Sequence, residues 1–307
     1  MQLNWVGRFR RARGLVSGLA LVLVVAACGS GANEQTGGAG STSGGQGTAT
    51  GTLIVGTDPT HPPHDFLDDK GNIVGWEYDF IQEVGKKLNR KVEYKAASFD
   101  ALLPGLSSGR FDLVFANMGI TPERLKVVDM VTAFAGGQAF LGRADRGLSL
   151  PDLSHLCGIS VGVTRGSTQA DLAAAQSKKC TESGKAPVAI QLFQSGDQVI
   201  LAVESRRVDT YWTAQPIAQY YATQPGSTLA VVGEVPGTRG LSAIALPKGS
   251  QLTEPVHKAV QALIDDGTYM KVLKKWHLES NAIQVSEVNP APKPATTTSS
   301  SPSPTST

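Results

Sequence analysis

Two short stretches of this chain echo each other. LSSGRFD (106–112) and VESRRVD (203–209) each lead from a helical pattern into a strand pattern. The two halves share no length-wide identity of the kind a repeat array shows, so the echo is one of structure. Around it, strands and helices alternate twice in the same order. The first half has a strand at Leu53-Ile54-Val55, then a helix with Phe80, Ile81, Val84 and Leu88 on one face, ended by Asn89. A helix opened by Ser98, carrying Leu102, Leu103 and Leu106, leads to the strand Leu113-Val114-Phe115. The second half has a strand at Ile159-Ser160-Val161, a helix after Ser167, a strand around Val188–Leu192, a helix opened by Ser195 and the strand Val208–Trp212. Alternation of this kind implies an α/β fold of two lobes with mostly parallel sheets. Such sheets bind ligands at the carboxyl ends of their strands, in the cleft where the lobes face each other. At 307 residues and 41% hydrophobic, the chain can hold two domains of ordinary size.

The flanks are of a different character. Arg8, Arg10, Arg11 and Arg13 precede an apolar run from Gly14 to Ala27, the pattern of a secretory signal too short to be a comfortable membrane span. The run ends in Val25-Ala26-Ala27-Cys28-Gly29, which resembles a bacterial lipobox; the alternative is an ordinary signal peptide with an incidental cysteine. The expectation is a signal peptide over 1–27, lipid on Cys28 and a flexible Gly/Ser/Thr/Ala/Gln tether over 28–51. Loss of residues 1–27 takes four arginines and no acid from 28 basic and 26 acidic residues, leaving 24 against 26. That balance gives no reason to expect a nucleic-acid partner. The far end, 286–307, is rich in Pro, Thr and Ser and is expected to be disordered.

Cys157 and Cys180 are the remaining cysteines. In an exported protein they favour a disulfide, worth about 3 kcal/mol on the loop-entropy model.

Candidate binding residues follow strand ends. ANMGITPER (116–124) reads as a strand running into a helix start, with Thr121 as N-cap and Pro122 at the first helical position. Arg124 then lies at the positive end of the helix dipole, where a cation has the wrong sign. The residue four on is Val128, so no helical acid pairs with it. It is either a solvated surface arginine, a partner of Glu123 or of a distant carboxylate, or a group waiting for an anion. Asp58 follows the first strand, and Thr164 to Gln169 (TRGSTQ) follow the strand that opens the second half. A glycine and two hydroxyls at a helix start either cap the helix or present free N–H groups to an anion. An arginine from one lobe and that helix start from the other could clamp one carboxylate.

The stretches IVGTDPTHPPHDF, IVGWEYDFIQEVGKKL, FDALLPGLSSGRFD, GITPER, VGVTRGSTQ and LIDDGTYMKVLKKW occur in this order, without large gaps, over about residues 52–285. They resemble the bacterial extracellular solute-binding proteins of the polar amino-acid type, the capture subunits of ABC importers. The resemblance implies a periplasmic-binding-protein-like fold whose first lobe (52–142 and 236–285) is interrupted by the second (143–235). Two hinge strands cross between the lobes, and the ligand cleft lies between them. It places the Cys157–Cys180 bridge in the second lobe, as in actinobacterial members. Carried over by position, Arg124 grips a ligand carboxylate in a bidentate pair. Asn117, Met118 and Gly119 form the segment beside it, Gly119 through its N–H. Thr164 and the Ser167–Thr168 turn approach from the second lobe, with Gln169 nearby. Phe99 and His61 wall the side-chain pocket, and Asp58 stands where members taking basic ligands face the cationic group. The implied partners are a small carboxylate-bearing solute, an ABC permease and, through Cys28, the extracytoplasmic face of the cell membrane. A monomer without cofactor or metal is expected.

Three departures stand out. His61 replaces a usual aromatic, His64 a frequent Phe, and Ala214 stands where the family commonly has an Asp that binds the α-ammonium. A buried ammonium without counter-charge is costly. Either another acid such as Asp58 substitutes, or the ligand lacks a free primary α-amine. The run DPTHPPHD is rich in metal-ligand types, but His155, His257 and His277 are far off in sequence, and packing of the two histidines is the expectation. Enzyme readings on this fold are less favoured. A dehydratase needs a general acid or base in the cleft, and a lyase needs a further domain, for which the residues after Trp276 are not expected to suffice. A sensor feeding a membrane kinase would use the same cleft as an importer subunit.

Overall fold

The computed structural model describes residues 51–291. The expected signal peptide, lipidated Cys28, the tether to residue 50 and the tail beyond 291 lie outside the described residues.

The first half opens with β1 (Leu53–Thr57), followed by the small strands β2 (Thr60–His61), β3 (Asp65–Leu67) and β4 (Ile73–Val74). Next come α1 (Trp76–Lys87), β5 (Val92–Ala96), α2 (Phe99–Ser107), β6 (Leu113–Val114) and α3 (Pro122–Val127). The long strand β7 (Val128–Arg143) leads to β8 (Ser160–Thr164), α4 (Thr168–Glu182), β9 (Ala189–Phe193), α5 (Gly196–Glu204), β10 (Thr210–Ala214) and α6 (Gln215–Thr223). A second long strand, β11 (Leu229–Pro247), returns the chain to α7 (Thr253–Asp265) and α8 (Thr268–Lys275).

The main sheet has the order β5-β1-β6-β11-β7-β10-β8-β9. Strands β5, β1 and β6 are parallel at one end, and β10, β8 and β9 are parallel at the other. Antiparallel β7 and β11 run through both ends. This is the two-lobed arrangement that the duplicated alternation implies. The β7–β11 register breaks where Val235 pairs with Gln138 and Gly240 with Gly136. On β7 the break lies at the Gly136-Gly137-Gln138 step.

Local chemistry explains the elements. The buried face of α1 is Trp76, Glu77, Phe80, Ile81, Val84 and Gly85, one turn longer at its start than the apolar spacing suggests. Asn89 ends it with φ +53°, a conformation that asparagine tolerates better than most residues. Thr121, Ser167 and Ser195 cap their helices by accepting from Arg124, Ala170 and Gln198 N–H at 3.2, 3.2 and 3.4 Å. Ser98 stands at the expected N-cap but makes no such bond; its hydroxyl donates to Asp100 Oδ1 at 2.6 Å instead. One core gathers Leu53, Val55, Trp76, Phe80 and Leu113 under α1, α7 and α8. The far half packs Val161, Val163, Ala173 and Trp212, with Cys180 joined to Cys157 in a disulfide whose Cα atoms are 5.6 Å apart.

Order extends past residue 285. Ser286 donates to Thr132 O at 2.8 Å, Glu287 and Thr132 exchange two hydrogen bonds, and Asn289 bonds Met130 and Asp129. Residues 286–289 therefore pair with β7, correcting the expectation of a disordered tail from 286. Ser286, Glu287 and Asn289 supply the polar groups that satisfy this strand edge, ahead of the Pro/Ser/Thr-rich stretch. Among the described residues no helix is long and apolar enough to cross a membrane.

Candidate functional site

The carboxyl ends of β1, β6, β8 and β10 and the break in the crossing strands meet around a cavity of about 110 Å³. Arg124 reaches it from α3. Thr121 anchors the start of that short helix, and Val128 already belongs to β7. The Arg124 side chain is 9% exposed. Its Nη1 donates to Gly119 O at 2.6 Å and its Nη2 to Gly166 O at 2.9 Å, so it spans the two halves of the sheet. The Phe99 ring lies 5.5 Å from its guanidinium carbon. Burial lowers its pKa to about 10, and Asp171, in the first turn of α4, opposes that shift from a distance. Among the described residues no carboxylate forms an ion pair with Arg124, so its charge is met at close range only by carbonyl dipoles and a ring face.

Donors converge beside it. Gly119 faces Ser242 of β11 across an antiparallel bridge. The bonds bracketing that pair, Ile120 N–H to Leu241 O and Ala243 N–H to Met118 O, leave the Gly119 N–H outside the ladder. Across the cleft, Ser167 caps α4 and leaves the first N–H groups of that helix, at Thr168 and Gln169, pointing out of its end. Asn117 adopts φ +46°, with its N–H held by Glu77 Oε1 at 2.8 Å. Burial pushes Glu77 up to about 7, and burial together with the Glu77 charge raises Asp65, whose carboxylate takes the Thr57 hydroxyl. A buried carboxyl pair thus underlies the Asn117 turn.

His61 forms a wall between the halves, with Nε2 3.5 Å from Thr164 Oγ1 and Nδ1 3.7 Å from Asp58 Oδ2. The latter distance is too long for a hydrogen bond. Burial raises the pKa of Asp58, against the pull of His61. His64 is core: it accepts from Trp76 Nε1 at 2.7 Å, and burial lowers its pKa to about 3. Among the described residues, no group of three or more His, Cys, Asp or Glu side chains is placed to hold a metal ion.

Ten of the expected residues line the cavity: His61, Phe99, Asn117, Gly119, Arg124, Thr164, Ser167, Thr168, Gln169 and Ala214. Two do not. Met118 turns into the core with Leu102, Phe111 and Met130, because strand alternation sends neighbours to opposite faces. Asp58 is 2% exposed and sits behind His61, bonded to the Thr60 hydroxyl at 2.9 Å. Sequence reasoning also missed lining residues on the crossing strands, namely Gln138, Thr238, Leu241 and Ser242. Only Gln138 carried a signal, a polar residue after two glycines inside an apolar run.

The two halves touch beyond the cavity. Gly196 N–H donates to Thr60 Oγ1 at 3.0 Å, and Arg165 Nε approaches Asp100 Oδ2 at 3.8 Å. With the Arg124–Gly166 bond, these contacts close the cleft around the cavity.

Residues 53–279 match the family model of the bacterial extracellular solute-binding proteins, family 3. The chain is 26% identical over 243 residues to the arginine-binding protein ArgT of Corynebacterium glutamicum, covering 79% of each protein. To the arginine-binding extracellular protein ArtP of Bacillus subtilis it is 29% identical, over 83% of this chain and 96% of that one. Among solved structures it resembles an ancestral arginine-binding protein bound to glutamine, with 37% identity, a TM-score of 0.66, and coverage of 74% of this chain and 98% of that one.

Proposed function

The chain belongs to the bacterial extracellular solute-binding proteins of family 3, and on that premise we propose that it captures a small, polar, carboxylate-bearing amino acid or amino-acid derivative for an ABC importer. The lobes, 52–142 with 236–285 and 143–235, close on the solute, and lipid on Cys28 holds the protein at the extracytoplasmic face of the membrane. Relatives named for arginine, and one structure bound to glutamine, support an amino-acid-sized solute.

Arg124 carries the reading. A guanidinium this deeply buried is costly unless an anion meets it, and it sits among the Gly119 N–H, the start of α4 and the Asn117 turn. The carboxylate takes the fork of Arg124 from the first lobe. The second lobe then brings the Ser167–Thr168 helix start to the same anion, so the solute prefers the closed state and shifts the population toward it.

Thermal shift against a panel of amino acids and their N-modified relatives tests this. Solute at 100 times its dissociation constant adds about 2.7 kcal/mol of stability. Arg124→Ala should weaken binding of the responding solute by roughly 2–5 kcal/mol, as for one partner of a buried charge pair. Undiminished binding by that variant refutes the site.

A further inference from the structure

The cavity around Arg124 is polar, but its fixed charge has one sign. No Asp or Glu side chain is among its lining residues. The nearby acids lie outside the lining: Asp171 acts on Arg124 only from a distance, and Asp58 keeps a buried Oδ2 without a hydrogen-bond partner. Asp58 lies behind His61, Asp100 takes the Ser98 hydroxyl, and Asp197 takes the Tyr221 hydroxyl at 3.4 Å. Glu77 holds the Asn117 N–H, and exposed Glu234 accepts from Gln215 at 2.8 Å. The remaining polar lining groups are hydroxyls, amides and the His61 ring.

One of the hydroxyls is distinctive. Ser242 is 5% exposed, lines the cavity, and its Oγ has no hydrogen-bond partner in the protein. It lies directly opposite Gly119, whose carbonyl receives Arg124 Nη1. A neutral group that can both donate and accept is therefore set beside the carboxylate position. Leaving such a buried hydroxyl unbonded is unfavourable, so a solute atom that bonds it is favoured in the closed state.

A solute with a free ammonium would bring a second cation into a closed space that already holds Arg124 and has no carboxylate in its lining. Desolvating that cation would go uncompensated. A solute whose other polar atoms are neutral avoids this, because hydroxyl and amide groups can turn to suit it. We propose that the solute enters as a net anion: a small carboxylate whose α-nitrogen is acylated, or replaced by a hydroxyl, and whose neutral polar atom beside the carboxylate bonds Ser242. This rests on the assignment of Arg124 to the solute carboxylate.

Matched probes test the inference by isothermal titration of the full chain. They are L-glutamine against N-acetyl-L-glutamine, and L-alanine against N-acetyl-L-alanine and L-lactate. The acylated or hydroxy member of the tightest-binding set is expected to bind at least tenfold better than its parent amino acid. Ser242→Ala should weaken that probe about tenfold without lowering the unfolding midpoint of the free protein. A parent amino acid that binds as well as or better than its neutral partners, or no binding by any acylated or hydroxy probe, overturns the inference. Unchanged affinity of Ser242→Ala overturns it as well. If Arg124→Ala binds both members as the parent protein does, the assignment of Arg124 has failed instead.

Discussion

Gly196 offers a way to impair closure at an edge where the two halves touch. It opens α5, and a Cβ placed on it would lie 2.5 Å from Thr60 O and 3.0 Å from the His61 ring, both in the opposite half. Its backbone does not need a left-handed conformation, since its φ is not among the positive values. Alanine is therefore acceptable to the second half by itself, and a helix generally gains up to about 1 kcal/mol when alanine replaces glycine. In the closed arrangement, normal contact with Thr60 O requires the halves to part by roughly 0.8 Å along that edge. The Gly196 N–H to Thr60 Oγ1 bond, now 3.0 Å, would stretch to about 3.8 Å and be lost. One hydrogen bond is worth about 0.5–1.5 kcal/mol, and the His61–Thr164 approach at 3.5 Å would open with it. Gly196→Ala should thus weaken solute binding about tenfold, equivalent to about 1.4 kcal/mol. Its unfolding midpoint without solute should stay equal or rise. Titration calorimetry reads the first quantity and a thermal melt the second. Parent-like affinity together with a parent-like melt would refute the reasoning, because the bound state would then not use this contact.

Other expectations follow from the same geometry. Glu77 has a raised pKa of about 7 from burial, so the folded chain holds its proton over a range in which the unfolded chain releases it. Its contribution is present below about pH 4.5, where both states are protonated, and is lost as pH rises toward 7. Glu77→Gln keeps an acceptor for Asn117 N–H and should flatten that loss in denaturant titrations at pH 5 and pH 8; an unaltered slope would locate the titration elsewhere. Ala214 ends β10 at the N-cap of α6 and supplies no side-chain cap. Ala214→Asp should shift preference toward free amino acids, readable in the thermal-shift panel. A chain ended at Val285 loses the bonds of Ser286, Glu287 and Asn289 to β7. Denaturant unfolding should show a loss of roughly 2 kcal/mol, several hydrogen bonds offset by the entropy of ordering a few residues.

The sequence by itself determined the local elements and their order. Apolar spacing marked α1, Thr121 and Ser167 marked helix starts, and the repeated alternation implied two parallel sheet regions, because each of these signals depends on neighbours a few residues apart. It also brought out Arg124, since a cation at the wrong end of a helix with no helical acid is a local contradiction. The family resemblance then pointed to a solute carboxylate as its partner. What lies across the chain was not readable that way. The path of β7 through both lobes and the break at Gly136–Gln138 arise from pairing with β11, about a hundred residues away. Asp58 and His61 are three residues apart, yet only packing against Thr164 decides that the histidine faces the cavity while the acid stays behind it. Met118 and Gly119 are adjacent, yet one turns into the core and the other, bridged to Ser242, lines the cavity. Ser242 has no local signature, and its hydroxyl matters because tertiary structure buries it opposite Gly119 with nothing of the protein's own to bond. Solvent exposure and the identity of facing groups are properties of the assembled fold, and they decide which of the polar residues can meet a solute.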